Sequence, residues 1–192
     1  MMRNQGKSQR RKAQGGFTLV EVVVSMGVLT VGLVSLLGVF GLAMATTQSS
    51  QQDMIAKQLA NEAYESIIAA RNSSVIGWDD IQNTGSPCSG GGSSCGIFLS
   101  SAMQIYQAGP DGIYGTQDDI TAGLRQFLHD PGPDGIFGTA DDVLIPLTGY
   151  TRTITITNVD STLRSITIAI VYTTPQSPQK TYTLNSYISE FY

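Results

Sequence analysis

Glu21 is the single charged residue in a run of 29, from Phe17 to Ala45, that reads FTLVEVVVSMGVLTVGLVSLLGVFGLAMA. A carboxylate in such surroundings costs about 2.5–3.5 kcal/mol on membrane-insertion scales, so it requires a partner or a purpose. A second acidic set lies downstream. Residues 109–119 read GPDGIYGTQDD and residues 132–142 read GPDGIFGTADD, identical at nine of eleven positions with an offset of 23. Asp111, Asp118 and Asp119, with Asp134, Asp141 and Asp142, surround tight glycine turns, and flexible clusters of oxygen donors are what calcium takes. The expectation is a structural calcium site that orders a long loop, on a pattern that departs from the EF-hand in spacing and lacks its terminal Glu. The alternative is a pair of Pro-Asp-Gly turns with solvated carboxylates. Cys88 and Cys95 enclose Ser-Gly-Gly-Gly-Ser-Ser and point to a disulfide in an exported domain rather than a zinc site. Such a short ring contributes roughly 2–3 kcal/mol at most. His129, the only histidine, stands beside Asp130 without a nucleophile, and no phosphate-binding loop is present, so no enzyme is expected.

The apolar run has to be positioned by something. It exceeds the about 20 residues that a bilayer core needs, and it is apolar on all sides, as a membrane helix is. Five of the eleven basic residues precede it, at Arg3, Lys7, Arg10, Arg11 and Lys12. Such a cluster marks the cytoplasmic flank of a membrane segment. Three ordinary readings exist. A secretory signal peptide would have about half this apolar length, with no Glu inside it. A twin-arginine export signal would rest on Arg10-Arg11 alone. A plain single-pass anchor leaves Glu21 unexplained.

The string Gly15-Gly16-Phe17-Thr18-Leu19-Val20-Glu21 decides among them. It resembles the type IV prepilin processing site, glycine followed by Phe-Thr-Leu-x-Glu, after a short basic leader and at the start of the apolar stretch. The resemblance implies cleavage after Gly16 by a prepilin peptidase and N-methylation of Phe17. It also implies that Glu21 neutralises the new N-terminal amine of a neighbouring subunit. A buried carboxylate and ammonium are each costly alone and tolerable as a pair, so their meeting can set subunit register. Many major pilins carry a proline inside this apolar half; here Gly27, Gly32, Gly38 and Gly41 stand instead. Glycine costs about 1 kcal/mol against alanine in a helix, so the segment can soften locally.

Beyond Ala45 the pattern becomes amphipathic. Met54, Ile55, Leu59, Ala63, Ile67 and Ile68 recur at three- and four-residue steps, which predicts a helix continuing to about Arg71. At 1.5 Å per residue it would run about 80 Å. Residues 153–157, 165–172 and 180–189 alternate as strands, placing Ile154 with Ile156, and Ile166, Ile168, Ile170 with Tyr172. The expected fold is α+β and type IV pilin-like, a long N-terminal helix packed on an antiparallel sheet. The expected organisation is a leader at 1–16, an assembly helix at 17–45 and its amphipathic continuation at 46–72. A variable region with disulfide and acidic repeats follows at 73–147, and a β-sheet at 148–192.

Loss of the leader would move the net charge from −4 to −9, which argues against nucleic acid as a partner and against a DNA-uptake role. The expected function is that of a minor type IV pilin that initiates or modifies an extracellular pilus. The sibling reading is a minor pseudopilin of a type II secretion filament in the periplasm. A membrane-tethered calcium-binding or adhesive module is the reading from another class. Expected partners are other pilin or pseudopilin subunits, the prepilin peptidase and the inner-membrane assembly platform. The precursor would be single-pass in the inner membrane with its N-terminus cytoplasmic, before moving to a pilus or a periplasmic filament.

Overall fold

In a computed structural model the structure describes residues 15–92 and 94–191, with the side chains of Leu128 and His129 left aside. The basic leader residues Arg3, Lys7, Arg10, Arg11 and Lys12 lie outside the described residues, as does the His129 side chain. The chain divides into two units, 1–44 and 45–192, and helix α1 (Leu19–Asn72) contributes to both.

In the first unit every described side chain of the helix up to Leu42 is exposed, although nearly all are apolar. Mean hydropathy reaches 2.4 over an 18-residue window, so the helix is long and apolar enough to cross a membrane. The few hydroxyls are compatible with lipid because each bonds within the helix. Ser25, Thr30 and Ser35 donate to the carbonyls of Glu21, Met26 and Val31, four residues back, at 2.7, 2.7 and 2.8 Å.

In the second unit, α1 lies across a four-stranded antiparallel sheet of order β1-β4-β5-β6. Its strands are Met103–Gln104, Tyr150–Asn158, Leu163–Thr174 and Ser177–Ser189. A separate hairpin pairs β2 (Gln126–Asp130) with β3 (Val143–Pro146). The helix (Leu19–Asn72) on this sheet is the expected α+β, pilin-like architecture.

The helix face that meets the sheet differs in detail from the expected stripe. Ala56, Leu59, Ala60, Ala63, Ile67 and Ala70 are buried, whereas Met54 is 62% exposed and Ile55 and Ile68 are only half-buried. Alanines let the helix axis approach the sheet closely, and the isoleucines of the strands fill the space. Ile154, Ile166, Ile168 and Ile170 are all within 1% of complete burial. Register explains this: Ile154 stands opposite Ile168, and Ile156 opposite Ile166, so one face of the twisted sheet is a continuous aliphatic floor. At the entry to this core Asp53 accepts from Lys180 Nζ at 2.5 Å and from the Tyr172 hydroxyl at 2.7 Å. Burial, with the Asp53 bond second, pushes the Tyr172 hydroxyl up to about 12.

The same alternation that carries the isoleucines inward also carries two arginines. Arg152 and Arg164 are each 3% exposed. Arg164 stacks 4.0 Å over the Trp78 ring, donates to the carbonyls of Trp78 and Ile81, and lies 4.0 Å from Asp79. Arg152 stacks 4.8 Å over the Tyr114 ring and lies 3.9 Å from Asp119. Each guanidinium clamps part of the region 73–147 onto the sheet, with a ring on its face and a carboxylate at its edge. That region is therefore anchored at two points. A third tie comes from Asn83, whose side chain donates to Ile154 O at 2.8 Å and accepts from Ile156 N–H at 2.7 Å. It thereby stands in for a strand beside β4.

Candidate functional site

The processing segment lies in the first unit. Residues 15–18 have no regular structure and α1 begins at Leu19, so the Gly16–Phe17 peptide precedes the helix. Phe17 is 83% exposed, and nothing lies within 4 Å of where a Cβ on Gly16 would stand. The Thr18 hydroxyl accepts from Glu21 N–H at 3.3 Å, which closes the first turn. Phe17, Glu21, Val22, Ser25, Met26 and Leu29 border one shallow concavity on this helix. Among the described residues no cation pairs with Glu21. The arrangement is a bare anion on an apolar rod, four residues after an accessible glycine–phenylalanine bond.

A family model described as the prokaryotic N-terminal methylation motif matches residues 11–37. The chain carries this methylation motif. With the long apolar helix that begins within it at Leu19, the match is consistent with a type IV prepilin-like protein, a pilin- or pseudopilin-type precursor. The prepilin motif implies processing by a prepilin peptidase and assembly with other pilin subunits, and with the apolar helix it suggests a membrane-anchored precursor. Such a motif marks structural proteins, which are usually not enzymes. No curated relative and no solved structure matches the chain.

The acidic repeats of this prepilin-like chain lie in the second unit, and both copies fold alike. Ile113 N–H donates to Asp111 Oδ1 at 2.8 Å, and Ile136 N–H to Asp134 Oδ1 at the same distance. Gly115 N–H donates to Asp119 Oδ2 and Gly138 N–H to Asp142 Oδ2, both at 2.6 Å. The Thr116 hydroxyl donates to Asp118 Oδ1 at 2.5 Å, and that of Thr139 to Asp141 Oδ1 at 2.7 Å. Every carboxylate of the repeat thus holds its own loop together through backbone or threonine donors.

Among the described residues no three His, Cys, Asp or Glu side chains converge on a point that could hold a metal ion. The six aspartates are distributed three to each loop, with side chains turned onto neighbouring donors. The copies differ in burial. Asp119 is completely buried beside Arg152, and burial raises its pKa against the lowering effect of the Gly115 and Gly109 N–H groups and of Arg152. Asp141 is exposed, and the Thr139 hydroxyl bond holds its carboxyl below the usual range.

Cys88 and Cys95 form a disulfide, and Asp79 fastens the same loop by accepting from the Ser89 hydroxyl at 2.5 Å and its N–H at 3.1 Å. Sequence reasoning overlooked Arg152 and Arg164. The signal was present, because both fall in phase with the inward isoleucines of their strands.

Proposed function

We propose that this chain is a minor type IV pilin, a subunit that enters a surface filament through its N-terminal helix and initiates or modifies that filament. The observation that carries the reading is Glu21, a carboxylate with no cation beside it among the described residues, on an exposed apolar helix four residues beyond the Gly16–Phe17 bond. In a bundle of such helices the carboxylate of one subunit meets the methylated amine of Phe17 on the next, and the pair offsets the desolvation of both charges. The acidic, disulfide-tied domain built on residues 45–192 is then displayed outside the bundle.

Calcium belongs to the same reading as a structural ion for the exposed second loop, where Asp134, Asp141 and Asp142 flank glycine turns. Binding would require these carboxylates to leave the backbone donors they now accept from, so calcium should raise the melting temperature only after that exchange. Thermal melts with calcium and with chelator test it, and identical curves would remove the ion from the account.

The decisive experiment is mass spectrometry of filaments sheared from cells, set against the membrane fraction. A peptide beginning at methylated Phe17 in the sheared material is the expected result. The same peptide confined to membranes would favour a type II secretion pseudopilin or a tethered module. A chain that still begins upstream of Phe17, with the Gly16–Phe17 bond intact, would refute processing altogether.

A further inference from the structure

The two acidic loops share nine of eleven residues and the same Asp111/Asp134 and Gly115/Gly138 hydrogen bonds, yet only one is docked. In the first copy Ile113 is 1% exposed and Tyr114 is half-buried; in the second their counterparts Ile136 and Phe137 are 61% and 60% exposed. The first copy therefore shows what this unit packs against. Its tip sits on α1 with Ile113 in the core, where the Tyr114 hydroxyl donates to Glu62 at 2.8 Å and its N–H to the Ser66 hydroxyl at 3.3 Å. Arg152 covers the ring and faces Asp119. The seat is a helix face with a carboxylate and an adjoining arginine.

A second seat of the same composition lies beside the first and is open. A groove of about 330 Å³ runs along α1, floored by Ile55, Leu59 and Leu147, walled by Phe127 and rimmed by the Glu62–Arg125 ion pair. It again offers an apolar helix face, the same Glu62 and an arginine, and its volume suits side chains of the size of Ile and Phe. Phe137 lacks the hydroxyl with which Tyr114 reaches Glu62, which fits this more apolar site. Asp142, the counterpart of buried Asp119, has no cation beside it among the described residues, and Arg125 at the groove rim already pairs with Glu62, so the apolar tip rather than charge carries the fit. No residue of 131–142 lines the groove of its own chain.

We propose that the loop at 132–142 of one copy seats Ile136 and Phe137 in the α1 groove of a second copy of this chain. Tip and groove are different surfaces, so the contact is heterologous and does not close on itself; it lets successive copies follow one another in a row. In that respect it rests on the filament reading above.

The test places a photocrosslinking benzoylphenylalanine at position 137 of the full-length chain in the producing cell. Irradiation should give a dimer and higher steps of a ladder, with crosslinked peptides mapping to residues 55–62 or 125–127. Gln58→Trp, at an exposed position on the groove, should lower the crosslink by about tenfold while leaving the melting temperature unchanged. Absence of the dimer, adducts mapping elsewhere or to other proteins, or a crosslink indifferent to Gln58→Trp would overturn the proposal. The same digests report whether the chain begins at methylated Phe17, so a failed contact and a failed pilin reading are told apart.

Discussion

Asp119 and Asp142 occupy the same place in two copies of one loop, and both accept from a glycine N–H at 2.6 Å. Only Asp119 is buried against an arginine, so substituting each separates the effect of burial from that of the hydrogen bond. Asp119→Ala strands a buried guanidinium and two N–H groups and should cost about 3–5 kcal/mol. Asp142→Ala leaves its donors within reach of water and should cost about 1 kcal/mol. Denaturant titration of the detergent-solubilised chain measures both, and equal losses would contradict the burial argument.

A pH series tests a third carboxylate. The bonds from Lys180, then Tyr172, hold Asp53 below its usual range. A carboxyl with a depressed folded pKa adds stability above its unfolded value, near 3.8, and loses it as pH falls through the folded one. The stability difference between the native chain and Asp53→Asn should therefore be full at neutral pH and shrink as pH falls below about 4; a difference unchanged across the whole series would show that the amide disturbs packing instead.

At this scale the sequence was most legible where chemistry stands against a plain background, as Glu21 does among aliphatics. It was least legible at Arg152 and Arg164. A charged residue normally signals the wet face of a strand, and it is the ring and carboxylate brought to each from distant loops, with the Trp78 and Ile81 carbonyls at Arg164, that make its burial tolerable.

Among the elements, the repeat loop depends on a glycine that its two copies use differently. Gly115 and Gly138 have φ of +93° and +92°, a region that costs an L-residue about 1–2 kcal/mol. A Cβ on Gly115 would stand 2.4 Å from Ile154 Cδ1, whereas on Gly138 it would meet nothing within 4 Å. Gly138→Ala should therefore show the backbone cost alone, and Gly115→Ala an additional overpacking cost of about 1–3 kcal/mol. Matching melting temperatures for the two variants would mean that the first loop is not pressed on the sheet as described.

The strands β4 and β5 were readable because their alternation matches a buried aliphatic face, and β6 because its alternation is long, with Ile188 buried. The hairpin β2–β3 was not. Its strands are only five and four residues long, one ends at Pro146, and Phe127, Val143 and Leu144 remain about half-exposed, so no buried face imprints a period. The packed stripe of the helix is smaller than hydrophobicity alone predicts. Hydrophobicity favours Met54, Ile55 and Ile68, but close approach to a floor of isoleucines selects Ala56, Ala60 and Ala70.

As a unit of assembly, the molecule depends on one charge. Substituting Glu21 leaves Gly16 and Phe17 in place, outside the helix, so leader cleavage and methylation should proceed. What fails is the partner for the Phe17 amine once apolar helices surround it. An uncompensated buried charge costs about 3–5 kcal/mol, which corresponds to roughly a hundredfold or greater loss of incorporation. Glu21→Gln keeps the size and hydrogen-bonding capacity of the side chain but not its charge. It should therefore fail nearly as badly as Glu21→Ala, whereas Glu21→Asp should retain part of the function. The measurement is the ratio of mature chain in sheared filaments to mature chain in membranes for each variant. If Gln assembled as well as Glu, hydrogen bonding rather than charge neutralisation would govern docking. If Ala did so too, the apolar helix would be an anchor alone, and the domain displayed on it a tethered module that never polymerises.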